Sequence, residues 1–253
     1  MNFFFGINNN IFKSEIQIPL FQNKSPRPRN LKLFKSFPQN KKWVIEEIKN
    51  KKINKYFYIL KERDISSKDI YFLAEDSDVN NFDNKKLKNF NNFTKTVPAY
   101  RANLKIFLKD GGFSSFQSEY PFSMVGKKGT ILSSISSIAN KNADQNYILI
   151  RNIYEDPIEE KFNGYLVNIK TKKIEEKYEL KTNFTNIVEI KNYSIKPEIF
   201  LVTDLYLGIP MYASIQGGFV SLEHTHPPHE YILSENKFIK VSELKKEINE
   251  IIA

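Results

Sequence analysis

Tyr100-Arg101-Ala102-Asn103-Leu104-Lys105-Ile106-Phe107-Leu108 places Ala102, Leu104, Ile106 and Leu108 at one parity and Arg101, Asn103 and Lys105 at the other. Successive side chains of a strand point to opposite faces, so this alternation describes an antiparallel strand with one face buried and one wet. Gly111-Gly112 follows and turns the chain. Downstream, short apolar runs recur at regular intervals. Tyr147 to Ile150 is apolar on both faces, as a central strand is. Tyr165 to Ile169 and Ile174 to Leu180 flank Lys170-Thr171-Lys172-Lys173, the length of a hairpin connection. Ile187 to Ile190, Ile199 to Val202 and Ile209 to Ile215 continue the series up to Gly217-Gly218. Many short strands with turn signals between them predict an antiparallel β-sandwich or jelly-roll over about residues 97 to 240. A C-terminal helix closes the chain, with Ser242 as its cap and Leu244, Ile248, Ile251 and Ile252 as one apolar stripe.

Upstream the pattern is weaker. Residues 1 to about 40 show no clear periodicity, and the prolines of Ser25-Pro26-Arg27-Pro28-Arg29 imply an extended, exposed segment. Lys41 to Ile53 spaces Trp43, Val44, Ile48 and Ile53 among charges, which predicts a short amphipathic helix. Tyr56 to Leu60 and Ile70 to Ala74 read as strands. Asp76 to Thr96, rich in Asn and Lys, is the best boundary. The expectation is a mainly β protein, with a small N-terminal α+β region at 1–95 and a β-sandwich domain with its C-terminal helix at 96–253.

A chain of 253 residues can bury a substantial core, and 21 Phe with 13 Tyr argue for a packed aromatic interior. The formal net charge of +9 invites a nucleic-acid reading. However, the excess is nearly all Lys spread along the chain, and arginines such as Arg63, Arg101 and Arg151 are few and scattered. No basic recognition helix results, so no specific nucleic-acid partner is expected. The absence of cysteine excludes disulfides and thiolate chemistry. Phe3-Phe4-Phe5 has no basic residue before it and is interrupted by Asn8-Asn9-Asn10, so no signal peptide is expected. With no apolar run near the length of a membrane span, cytoplasmic localisation is the expectation.

All three histidines fall within Glu223-His224-Thr225-His226-Pro227-Pro228-His229-Glu230. Continuing Val220 and Leu222 at the same parity, His224 and His226 would share one face of a strand, their Cα atoms roughly 6.6 Å apart. Pro227 and Pro228 would stop the strand, leaving His229 and Glu230 beyond a rigid corner. Two imidazoles and a carboxylate so spaced suit a divalent metal such as Zn, Fe or Mn. The bland reading is a neutral, hydrogen-bonded structural corner.

Gly218, His224, His226 and Glu230 also stand at the spacing of the first metal motif of the cupin family, which this stretch partly resembles. The resemblance implies that the three polar side chains would ligate a metal inside a jelly-roll barrel. It covers about a dozen residues and departs from the pattern. Lys237 stands where a closing Gly is expected, no second motif follows, and no other histidine supplies a fourth ligand.

A second constellation is Phe113-Ser114-Ser115-Phe116-Gln117-Ser118-Glu119-Tyr120. Flat rings interleaved with adaptable polar groups suit a sugar, and Phe116, Gln117, Glu119 and Tyr120 are the candidate ligand-binding residues. An ordinary exposed strand can look the same. Ser133-Ser134 and Ser136-Ser137 lack a nucleophile elbow, and no phosphate-binding loop is present. Asp204, Arg101 and Arg151 are polar groups that could complete the histidine cluster. The first functional expectation is therefore a ligand-binding β-sandwich protein with a His-rich corner, whose partner, a small molecule or glycan, sits in a cleft near that corner. The alternatives are a metal-dependent cupin-like enzyme using His224, His226 and Glu230, with His229 as a further ligand, and a structural or assembly protein. Whether the protein is an enzyme stays open at this point, as does its oligomeric state.

Overall fold

The computed structural model describes residues 2–20, 30–49, 51–54, 56–89, 101–109, 111–224 and 234–253. Among the described residues strand takes up 47% and helix 15%, which makes the fold mainly β. The chain divides into two compact units: the first takes residues 1–126, 153–159 and 183–185, the second 127–152, 160–182 and 186–253.

Among the described residues the first unit holds ten strands: β1 (Asn2–Phe3), β2 (Phe12–Pro19), β3 (Lys32–Gln39), β4 (Lys42–Glu47), β5 (Lys52–Asn54), β6 (Phe57–Leu60), β7 (Ile70–Ala74), β8 (Ala102–Leu108), β9 (Phe113–Ser118) and β10 (Tyr120–Pro121). They form a five-stranded sheet in the order β5-β6-β2-β8-β9, a three-stranded sheet β4-β3-β7, and the pair β1-β10. The strand with the cleanest alternation behaves as its pattern requires: Ala102, Leu104 and Ile106 are buried in β8, which lies antiparallel to both β2 and β9. That pairing places β8 and β9 in the first unit, although the polar stretch at 76–96 separates them from β2 in sequence. Long-range strand pairing outweighs a local composition shift. In Phe12–Pro19 the burial also alternates, a signal hidden in sequence by Ser14, which is polar yet fully buried.

The helix expected over 41–53 is a correction. Residues 42–47 form β4, paired with β3 across a two-residue turn in which Asn40 and Lys41 have φ of 50° and 59°. Positive φ at both turn residues matches the right-handed twist of a hairpin. Trp43, Val44 and Ile45 favour a pleated surface, and Trp43 is buried with its Nε1 donating to the Glu155 carbonyl at 2.8 Å. The only α-helix described in this unit is α1 (Asp76–Asn80). Pro26 and its neighbours lie outside the described residues.

Phe3, Phe5, Ile7, Phe12, Ile16, Leu33, Leu60, Phe72 and Leu104 make the centre of this unit's core. The Phe3 ring meets Phe72 edge-on at 5.8 Å, and Phe34 stacks on the same ring at 5.8 Å. Phe4 exchanges two backbone hydrogen bonds with Tyr71, at 2.7 and 2.8 Å. The N-terminal aromatic run is thus a structural strap buried inside this unit.

The second unit holds β11 (Leu132–Ser134), β12 (Gln145–Arg151), β13 (Lys161–Asn168), β14 (Lys173–Lys181), all but the first residue of β15 (Thr185–Ile190), β16 (Ile199–Thr203), β17 (Ile209–Gln216) and β18 (Phe219–His224). They build two four-stranded sheets, β11-β16-β13-β14 and β15-β12-β17-β18. The inner faces meet: Tyr212 of β17 donates to the Ser133 hydroxyl of β11 at 2.7 Å, both buried. This is the expected sandwich, and its first strand is β11. β12 is central, as its two apolar faces require, and the β13–β14 hairpin turns at Lys172, whose φ is 54°.

On the outer face of the first of these sheets lies α2 (Lys237–Ile252), whose Val241, Leu244, Ile248, Ile251 and Ile252 pack on Leu132, Tyr165, Val167 and Val202. The stripe is the one read from sequence, but the helix starts at Lys237, ahead of Ser242, which sits inside it. Asn236 takes the cap position without a side-chain bond. Among the described residues no helix is long and apolar enough to cross a membrane.

Candidate ligand-binding face

β2, β8 and β9 lie side by side in the five-stranded sheet, and the faces turned away from the core meet in register. Gln17 stands opposite Asn103, and Asn103 opposite Gln117, so three amides form one row across three strands. The next row is Glu15, Lys105 and Ser115; the third is Lys13, Phe107 and Phe113. All nine are exposed or half-buried. With strands about 4.8 Å apart, each row spans roughly 10 Å.

The hydrogen-bonding capacity of this face is largely unspent. Gln117 Oε1 accepts from an Arg101 Nη at 3.2 Å, which leaves its amide N–H groups for a ligand. Arg101 is steadied in turn by Glu119, 3.6 Å from its Nε. Among the described residues, no side-chain hydrogen bond engages Gln17 or Asn103. Phe113 is 62% exposed, and the Lys105 ammonium sits 4.2 Å from its ring centroid. Amides both donate and accept, as hydroxyls do, and a flat ring offers a surface for C–H groups.

Of the four binding residues expected from sequence, the structure brings Gln117 to this face, and Glu119 beside it through Arg101. Phe116 has the other parity: it pairs with Leu104 and is half-buried on the core side. Tyr120 is fully buried, its hydroxyl donating to the Ile153 carbonyl at 3.4 Å, so it presents no surface to a ligand. The reason is the β9 alternation, which turns neighbouring residues of this segment to opposite faces. Asn103, Lys105 and Phe113 were legible as the wet side of the hairpin. Gln17 was not, because only the register with β2 brings it there.

No protein-family model matches this chain. No curated protein and no solved structure is significantly similar to it either. The functional reading therefore rests on the chemistry of its own residues.

At the histidine corner, Val220 and Leu222 are buried and His224 is half-buried at the same parity, whereas Phe219, Ser221 and Glu223 are exposed. The β17–β18 turn is Gly217-Gly218, with φ of 56° and 80°. His224 pairs with Met211 at the end of β18. His226, His229 and Glu230 lie outside the described residues. Among those described, no group of three or more His, Asp or Glu could hold a metal ion. Asp204 is committed elsewhere, accepting from the Asn163 amide at 3.0 Å and its Nδ2 at 2.8 Å. Arg151 is fully buried in β12, and Arg101 serves Gln117 and Glu119.

Two tyrosine hydroxyls of the second unit, Tyr212 buried and Tyr178 half-buried, are tied into the fold by hydrogen bonds. Burial pushes the Tyr212 phenol well above its ordinary value, with the Ser133 hydroxyl pulling the other way. Burial, then the hydrogen bond to Glu176, drive Tyr178 upward too. Ser194 donates to the second oxygen of Glu176 at 2.7 Å, so this carboxylate ties β14 to the turn after β15.

Proposed function

We propose that this is a ligand-binding β protein that takes a polyhydroxylated ligand, an oligosaccharide, on the open face of β2, β8 and β9. The row Gln17–Asn103–Gln117 carries this reading. Three amides with unspent donors and acceptors in one line match a chain of hydroxyls, and Phe113 supplies the flat apolar element that a sugar face requires. The test is a glycan array on the purified protein, followed by titration calorimetry with the best oligosaccharide. Asn103→Ala with Gln117→Ala is expected to abolish binding while leaving the melting temperature within a few degrees of wild type. Retention of no glycan, or equal binding by the double variant, would sink the proposal.

A second reading is a metal-dependent enzyme with His224, His226 and Glu230 as ligands to Zn, Fe or Mn. It is supported by the placement of His224, which continues the Val220–Leu222 row at the end of β18. The metal would act there as a Lewis acid.

A further inference from the structure

The geometry points to an acidic oligosaccharide, a sugar chain bearing carboxylate or sulfate groups, as the ligand of the β2–β8–β9 face. This inference rests on the saccharide reading above and sharpens it. Its basis is the charge inventory of the face. Lys13 is neutralised by Glu62 at 3.0 Å and also holds Asn8 Oδ1 at 3.0 Å. Arg101 has Glu119 at 3.6 Å. Glu15, the register partner of Lys105, is engaged by Lys61 at 2.5 Å instead. Lys105 is left with the Phe113 ring as its partner, and among the described residues no carboxylate stands within ion-pair distance of its Nζ.

Lys105 also occupies the middle position of the middle row. It lies between the amides Gln17, Asn103 and Gln117 on one side and Phe113 on the other. A sugar chain laid from Asn103 to the Phe113 ring runs beside this ammonium, which sits 4.2 Å from the ring centroid. An anionic substituent on the chain would form a charge-assisted hydrogen bond there, stronger than one from a neutral hydroxyl. A nucleic acid backbone fits less well, because its affinity depends on many phosphate contacts and the three cations Lys13, Lys61 and Arg101 around this point are already paired.

The experiment is titration calorimetry of the whole chain with four probes of matched length: a neutral glucan oligomer, an oligouronate, a sulfated glucan oligomer and polyglutamate. The acidic sugars should bind about five- to tenfold more tightly than the neutral one, and polyglutamate should bind more weakly than either. The better of the oligouronate and the sulfated oligomer identifies the anionic group. Lys105→Gln should reduce acidic sugars to the affinity of the neutral oligomer, while Asn103→Ala weakens all three sugars together. Equal affinity of neutral and acidic oligomers, or an acid preference that survives Lys105→Gln, overturns this inference and leaves the saccharide reading standing. Polyglutamate or an oligonucleotide binding as tightly as the oligouronate overturns it in favour of bare charge attraction. Binding of no sugar at all overturns both readings.

Discussion

The Ser118 hydroxyl accepts a hydrogen bond from the Phe5 amide at 2.8 Å and donates one to the Phe5 carbonyl at 2.5 Å, across 113 residues of sequence. Ser14 repeats the arrangement with Ile7, at 2.9 and 2.7 Å. Two buried serines thus stand in for a neighbouring strand along residues 5–7, satisfying the backbone N–H and C=O of both Phe5 and Ile7 inside the core. Gly6 between them has no room for a side chain, since a Cβ would lie 2.5 Å from Ile65 Cγ2 and 3.0 Å from Ser14 Oγ.

Ser118→Ala removes both bonds at once at a fully buried position, and is expected to cost about 1–3 kcal/mol. Ser118→Ala with Ser14→Ala should be non-additive, because both hydroxyls hold one short segment. Urea denaturation of the single and double variants measures this. A loss under about 0.5 kcal/mol for Ser118→Ala would show that the strap is held by its aromatic side chains alone.

Asp64 predicts a pH-dependent contribution to stability. Burial pushes its carboxyl up, but the Lys51 ammonium at 2.6 Å, the Lys61 amide at 3.0 Å and the charge of Arg63 outweigh this and hold it below its ordinary value. A carboxyl whose folded pKa lies below the unfolded value of about 3.9 stabilises the fold fully above that value and loses the effect as pH falls through the folded pKa. Asp64→Asn should therefore destabilise at pH 7, and the gap to wild type should close in acid. Denaturation curves at pH 7 and at about pH 2 compare the two; a gap of equal size at both would refute the assignment.

The second unit was the more legible in sequence, because its strands are rich in Ile, Val, Leu and Tyr and are joined by short connections that carry turn residues. The first unit hid its strands for identifiable reasons. β2 contains Ser14 in a buried row, and β4 mimics helical spacing because Trp43, Val44, Ile48 and Ile53 fall across two strands and the connection between them. The binding face was half legible: alternation in β8 and β9 gives Asn103, Lys105, Phe113 and Gln117 their common side. The amide row itself depends on a register between β2 and β8, which no local pattern encodes.

Glycines at the two ends of β17 predict opposite behaviour. At Gly208 a Cβ would lie 2.6 Å from the Arg151 carbonyl oxygen, a backbone atom that cannot rotate away. Gly208→Ala must therefore move the start of β17 against β12, at a cost of about 1–3 kcal/mol. Gly217 has open space but a φ of 56°, in the left-handed region. Gly217→Asn should change stability by less than about 0.5 kcal/mol, since Asn tolerates that region, whereas Gly217→Val should cost about 1–2 kcal/mol. Thermal melts of the three variants test the contrast. A mild Gly208→Ala would mean that the β12–β17 contact is looser than the geometry implies.

The metal reading of the histidine corner makes a prediction that the glycan reading does not. If His224, His226 and Glu230 hold a divalent ion, protein purified without a histidine tag should carry about one equivalent, and His224→Ala with His226→Ala should carry none. Imidazoles ligate only when neutral, so occupancy in the wild type should fall as pH drops through roughly 6.5, the ordinary histidine value. Elemental analysis across pH 5 to 8 measures both effects, and the double variant should keep its glycan affinity because the amide row involves neither residue. Equal, substoichiometric metal in both proteins at every pH would end the metal reading and leave His224 as a structural residue closing β18.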